Sequence, residues 1–117
     1  MYLIVEDHPE LKSIIEQSME MFGRECLTAA NGLEALEIYK TKSQEIDLVI
    51  TDVVMPGIDG KRLVREILKI SPDQRVCFMS GYAHDIISEA DLNEHRLLEK
   101  PFTPLQLIGF IDLQLIR

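Results

Sequence analysis

The stretch Leu48-Val49-Ile50-Thr51-Asp52, followed by Pro56-Gly57-Ile58-Asp59-Gly60 and then by Leu63, Val64, Ile67 and Leu68, decides the fold. Its first four residues are apolar or β-branched without alternation, the pattern of a strand buried on both faces. An acid, Asp52, ends the run. The Pro, Gly and Asp cluster is turn chemistry. The apolar residues beyond it follow helical spacing. Strand, loop and amphipathic helix make one unit, and the same unit recurs on either side.

Upstream, Tyr2-Leu3-Ile4-Val5 is a short strand that stops at Glu6-Asp7. From Pro9, the residues Leu11, Ile14, Ile15, Met19 and Phe22 form a helical stripe closed by Gly23. Cys26 to Ala30 is a weaker strand. Asn31 with Glu34 resembles a capping box, and Leu33, Leu36 and Tyr39 supply that helix's apolar side. Downstream, Val76-Cys77-Phe78-Met79 is a strand ending at Ser80-Gly81. Residues 84–92 give a short, poorly patterned helix. Leu97-Leu98 is a fifth strand before Glu99-Lys100-Pro101-Phe102. Thr103 is placed to cap a last helix with Pro104 in its first position, running to the end of the chain. At roughly 23 residues per unit, the 117 residues hold five units and one domain, residues 1–117. Strands alternating with helices predict an α/β protein, with a parallel sheet, right-handed crossovers and both faces covered.

Composition narrows the function. Twelve Lys and Arg face 20 Asp and Glu, a formal net charge of −8. A general nucleic-acid binder needs clustered cations and is not expected. No apolar run approaches the length of a membrane span, and no charged-then-apolar leader opens the chain, so a cytoplasmic protein is expected. Cys26 and Cys77 lack metal-site spacing and read as two buried thiols. His8, His84 and His95 share no ligand spacing and read as exposed positions.

In a parallel sheet the ligand site lies beyond the carboxyl ends of the strands. Glu6 and Asp7 end the first strand, Asp52 the third and Ser80 the fourth, and Lys100 follows the fifth. Three carboxylates at one rim need neutralising. Magnesium suits them, since it takes oxygen ligands and keeps several waters. A lysine and a hydroxyl then favour an oxygen-rich anion, and the set fits phosphoryl transfer to the central carboxylate.

These residues carry a resemblance. Val5-Glu6-Asp7, Ile50 to Gly60, Met79-Ser80-Gly81-Tyr82-Ala83 and Glu99-Lys100-Pro101-Phe102 look like the receiver domain of two-component response regulators. The resemblance spans the chain and implies a flavodoxin-like (βα)5 fold with strand order 2-1-3-4-5. It implies that Asp52 is the phosphoacceptor and takes its phosphoryl group from a histidine kinase or phosphotransfer protein. It implies that Mg2+ is held by Glu6, Asp7, Asp52 and the backbone carbonyl of Val54. Ser80 and Lys100 would contact the phosphoryl oxygens, and the Lys100–Pro101 peptide would be cis. The domain would catalyse only its own phosphorylation and slow dephosphorylation. The string at Met79 to Ala83 is similar to receivers of hybrid sensor histidine kinases, and no residues remain for a DNA-binding effector. A stand-alone receiver or one excised from a larger protein is therefore expected. One departure is Leu97, where the family often carries an aromatic switch residue.

Three rival readings fit parts of the pattern. An aspartate-nucleophile phosphatase would want a second acid where Val54 stands. A degenerate receiver serving only as an interaction module would lack some of these residues. A nucleotide-binding flavodoxin-like protein would want a Gly-rich loop where Glu6-Asp7-His8-Pro9 stands. In the last helix, Leu107, Ile108, Ile111 and Leu115 form the stripe to be buried. Phe110 and Leu113 fall on the water-facing side, a candidate contact surface for a second copy, a kinase or a parent protein.

Overall fold

The computed structural model describes residues 1–81 and 96–115. Its elements are β1 (Tyr2–Val5), α1 (Pro9–Met21), β2 (Cys26–Ala29), α2 (Gly32–Lys42), a 3-10 turn (Ser43–Glu45), β3 (Leu48–Asp52), α3 (Gly60–Ile70), β4 (Arg75–Ser80), β5 (Arg96–Glu99) and α4 (Pro104–Leu115). The helix expected at 84–92, with His84 and His95, lies outside the described residues.

The strands form one parallel sheet in the order β2-β1-β3-β4-β5, the flavodoxin-like arrangement. Register pairs Val5 with Ala29 and with Thr51, and Thr51 with Phe78. Glu6, Asp52 and Ser80 therefore reach the same rim. Local chemistry starts three of the helices. Asn31 Oδ1 accepts the Glu34 N–H at 2.8 Å, and Asp59 Oδ1 accepts the Arg62 N–H at 2.9 Å. At α4 the box is reciprocal: Thr103 Oγ1 accepts the Gln106 N–H at 3.1 Å, and Gln106 Oε1 accepts the Thr103 N–H at 2.8 Å. Gly23 leaves α1 at φ +68°, a left-handed conformation that costs glycine little.

Alternation along the strands splits the core in two. Leu3, Val5, Val49 and Phe78 pack under α2 and α3 with Tyr39 and Leu63. Ile4, Ile50, Cys77 and Met79 pack under α1 and α4 with Ile15, Met19 and Leu107.

Burial corrects several expectations. Leu33 is exposed, because α2 turns Gly32, Ala35 and Tyr39 inward. Ile14 and Phe22 are exposed, and Ser18 takes a buried place on α1. The Ser18 hydroxyl donates to the Ile14 carbonyl at 2.8 Å, which removes the cost of burying it. Cys77 is buried but Cys26, on the edge strand β2, is only half-buried. Phe110 does not face water: it is half-buried and packs against the second core. The reason is that α4 lies against α1 as well as the sheet, so its buried arc is wider than one stripe. Leu113 is 66% exposed, as expected.

Candidate functional site

Four strand ends, those of β1, β3, β4 and β5, bring the site together. Glu6 follows β1 and its N–H donates to the Ala29 carbonyl at 3.0 Å. The Glu6 side chain is fully buried. Its Oε2 accepts the His8 N–H at 3.0 Å, and its Oε1 stands 2.7 Å from Lys100 Nζ. Asp52 ends β3 and is 3% exposed. Its Oδ1 stands 2.6 Å from the same ammonium. Lys100 is anchored from behind, its N–H donating to the Ser80 carbonyl at 3.0 Å, and its peptide to Pro101 is cis. Ser80 is buried at the end of β4, and His8 is exposed.

Asp7 completes an acidic cluster. One carboxylate oxygen from each of Glu6, Asp7 and Asp52 lies within 4.8 Å of the others. Glu6 Oε1 and both Asp52 oxygens are buried without an aligned hydrogen-bond donor, although Lys100 neutralises part of their charge. Buried carboxylate oxygens without donors are costly. An all-oxygen set at this spacing, open to water through Asp7, fits a hard cation such as Mg2+.

The electrostatics reflect crowding. Burial drives the Asp52 carboxyl up and Glu6 adds to this, while Lys100 offsets only part, so its pKa is pushed up to about 8. Burial alone would raise Glu6 too. Its bonds with Asp52, Lys100 and the His8 N–H outweigh burial and hold it below its ordinary value. For Lys100, burial favours the neutral amine, but the two carboxylates win and raise it. The rim opens into a cleft of about 640 Å³ lined by Asp7, His8, Asp52, Val54, Ser80, Gly81 and Lys100. An ion and a phosphoryl-sized group can both enter it.

The sequence from residue 2 to 112 matches the model of the response regulator receiver domain. The chain belongs to that family. A receiver domain protein of Clostridium thermocellum shares the fold at a TM-score of 0.86, with 31% identity over 97% of this chain and 91% of that one. The receiver domain of the hybrid histidine kinase CckA superposes with a TM-score of 0.83 and 35% identity, over 98% of both chains. The sensor kinase CckA of Brucella abortus is 40% identical over 108 residues, which is 90% of this chain and 11% of that kinase's length. This receiver domain is thus a module of two-component signalling.

All six expected site residues lie at one rim of this receiver. Glu6, Asp7 and Asp52 cluster, Lys100 bridges two of them, and Ser80 and Val54 line the cleft. The place of the aromatic switch holds Leu97, half-buried against the first core and paired in register with Phe78. Two supporting residues were missed. Gly60 read as one turn residue among several, yet a Cβ there would lie 1.9 Å from the Asp52 carbonyl oxygen. Thr51 read as strand, yet it is a fully buried hydroxyl beside Asp52. A hydroxyl residue between the apolar run Leu48 to Ile50 and the acid Asp52 was the available signal.

Proposed function

We propose that Asp52 is the phosphoacceptor of this receiver. A carboxylate oxygen of Asp52 bonds to phosphorus while the P–N bond to a donor phosphohistidine breaks. The imidazole leaves with the electron pair and takes a proton from solvent. Attack by water later returns the carboxylate and inorganic phosphate. Glu6, Asp7, Asp52 and the Val54 carbonyl would hold Mg2+, which supplies charge neutralisation to the transferring group when bound. Lys100, already over Asp52 Oδ1, is positioned to follow the charge onto a phosphoryl oxygen, and Ser80 to donate a hydroxyl to another. The phosphoryl group adds about −1.5 to −2 charge, the basis of a population shift.

The observation that carries this reading is the buried Asp52 carboxylate at the cleft, its Oδ1 2.6 Å from a fixed lysine and its Oδ2 without a hydrogen-bond donor among the described residues. The phosphatase rival is disfavoured because Val54, 60% exposed at the cleft, has no acid–base capacity. Residues 1–117 act as one receiver unit serving a cytoplasmic kinase or phosphotransfer protein, and the likeness to CckA favours a hybrid-kinase context. Intact-mass spectrometry after incubation with acetyl phosphate and Mg2+ tests it. A single phosphoryl adduct is expected, lost on EDTA addition before the donor and absent in Asp52→Asn. An adduct of equal yield in Asp52→Asn refutes the assignment.

A further inference from the structure

The peptide group joining Asp52 to Val53 is held at both ends. Its carbonyl accepts the Thr51 Oγ1 hydroxyl at 3.0 Å, and its N–H donates to the Met79 carbonyl at 3.2 Å. The next carbonyl, Val53 O, accepts the Gly60 N–H at 2.7 Å. Pairing of β3 with β1 ends at the Thr51–Val5 pair, so β1 does not extend to Asp52. The chain leaves the sheet here, between two groups that the proposed function assigns to the cation, the Asp52 carboxylate and the Val54 carbonyl.

Thr51 stands alone in its surroundings. It is fully exposed to none of the solvent, its register partners are Val5 and Phe78, and β3 is otherwise apolar up to Asp52. A buried hydroxyl must be bonded to be tolerated. Valine has the same shape and a better strand propensity, and packing alone would favour it. Among the described residues the hydroxyl serves the Asp52 carbonyl.

We infer that Thr51 is a positioning residue for the phosphoacceptor, its hydroxyl fixing the Asp52–Val53 peptide so that the Asp52 carboxylate and the Val54 carbonyl are presented together. Thr51 touches neither the cation nor the phosphoryl group. It sets the dihedral angle between the groups that do. This rests on the reading of Asp52 as phosphoacceptor.

Two substitutions separate positioning from space-filling. Thr51→Val keeps the volume and removes the hydroxyl; Thr51→Ser keeps the hydroxyl and removes the methyl. Mg2+ titration followed by amide NMR shifts, hydrogen exchange at the Val53 amide and phosphorylation rate with acetyl phosphate are measured on wild type and both variants. Thr51→Val is expected to speed Val53 exchange, weaken Mg2+ binding several-fold and slow phosphorylation by about tenfold, while Thr51→Ser stays within twofold of wild type. Equal values for Thr51→Val and wild type overturn the inference. So does the reverse order, with Thr51→Ser the impaired variant, which is the signature of packing. Asp52→Asn is run alongside. If it gains phosphoryl mass like wild type, the phosphoacceptor reading fails, while Val53 exchange still reports on the hold of Thr51. Unchanged exchange in Thr51→Val then overturns the inference by itself.

Discussion

A methyl group on Gly60 would lie 1.9 Å from the Asp52 carbonyl oxygen and 3.0 Å from the Val53 Cα, so the first turn of α3 is seated directly on the backbone of the phosphoacceptor. The Gly60 N–H bonds the Val53 carbonyl at 2.7 Å, which keeps the two segments in contact. No flexible side chain is available to yield. Gly60→Ala is expected to cost at least about 2–3 kcal/mol and lower Tm on the order of 10 °C. Gly57, at φ +78° with open space around it, meets no atom on substitution and takes only the strain of a left-handed backbone, roughly 1–2 kcal/mol. Thermal melts of both alanine variants check the contrast: Gly60→Ala also disturbs Mg2+ binding, and Gly57→Ala does not.

Lys100 is shared by two buried carboxylates. Lys100→Ala removes their only nearby cation among the described residues and leaves the site dependent on metal. The variant is expected to keep its Mg2+ affinity or gain some, because the ammonium no longer competes for Asp52 Oδ1. Phosphorylation by acetyl phosphate falls on the order of a hundredfold. Saturating Mg2+ raises the Tm of wild type, and that of Lys100→Ala more. At ten times Kd the gain is about 1.4 kcal/mol. Calorimetry with EDTA and with millimolar Mg2+ decides it, and identical melts in the two buffers sink the metal site.

Arg24 reaches Asp112 with both guanidinium nitrogens, the second at 3.1 Å, and ties the end of α1 to α4. The hydrogen bonds from Arg24 hold the Asp112 carboxyl below its ordinary value. A lowered carboxylate pKa means stability that is present above the unfolded value and lost as pH falls through the folded one. Wild type is therefore expected to exceed Asp112→Asn in stability at pH 7. The difference shrinks once the pH drops below the ordinary value of 3.8. The side chains are 29% and 47% exposed, so the effect is modest and weakens in high salt. Urea melts at two pH values and two salt concentrations measure it.

Phe110 and Leu113 share a helix but not an environment. Phe110 packs against the second core, whereas Leu113 is exposed. Phe110→Ser is expected to destabilise by about 1–2 kcal/mol, and Leu113→Gln to stay within about 0.5 kcal/mol. Leu113→Gln is therefore the clean probe of a contact surface on α4. Light scattering and kinase-binding assays on that variant report on association without a folding artefact.

Local signals carried most of the architecture. The strands β1, β3 and β4 are apolar runs ending at Val5, Asp52 and Ser80, and the caps at Asn31, Asp59 and Thr103 are short-range chemistry. Such features depend on residues three or four apart, so the chain alone specifies them. The site was equally legible, because parallel strands bring their carboxyl ends to one rim, and acids placed there by sequence are placed there in space. What the sequence left open depends on which neighbour a residue meets. Leu33 and Ile14 carry the same apolar character as Leu36 and Ile15, and only the tilt of each helix on the sheet decides which are buried. Phe110 is half-covered because α4 rests against α1, a contact between segments nearly ninety residues apart (Arg24 bonds Asp112 across 88). The bond of Lys100 to both Glu6 and Asp52, and the approach of Gly60 to the Asp52 carbonyl, likewise appear only when chain ends and strand ends are brought within a few ångström. Spacing along the chain determined which groups reach the rim; packing across it decided how closely they stand and what each one is free to do.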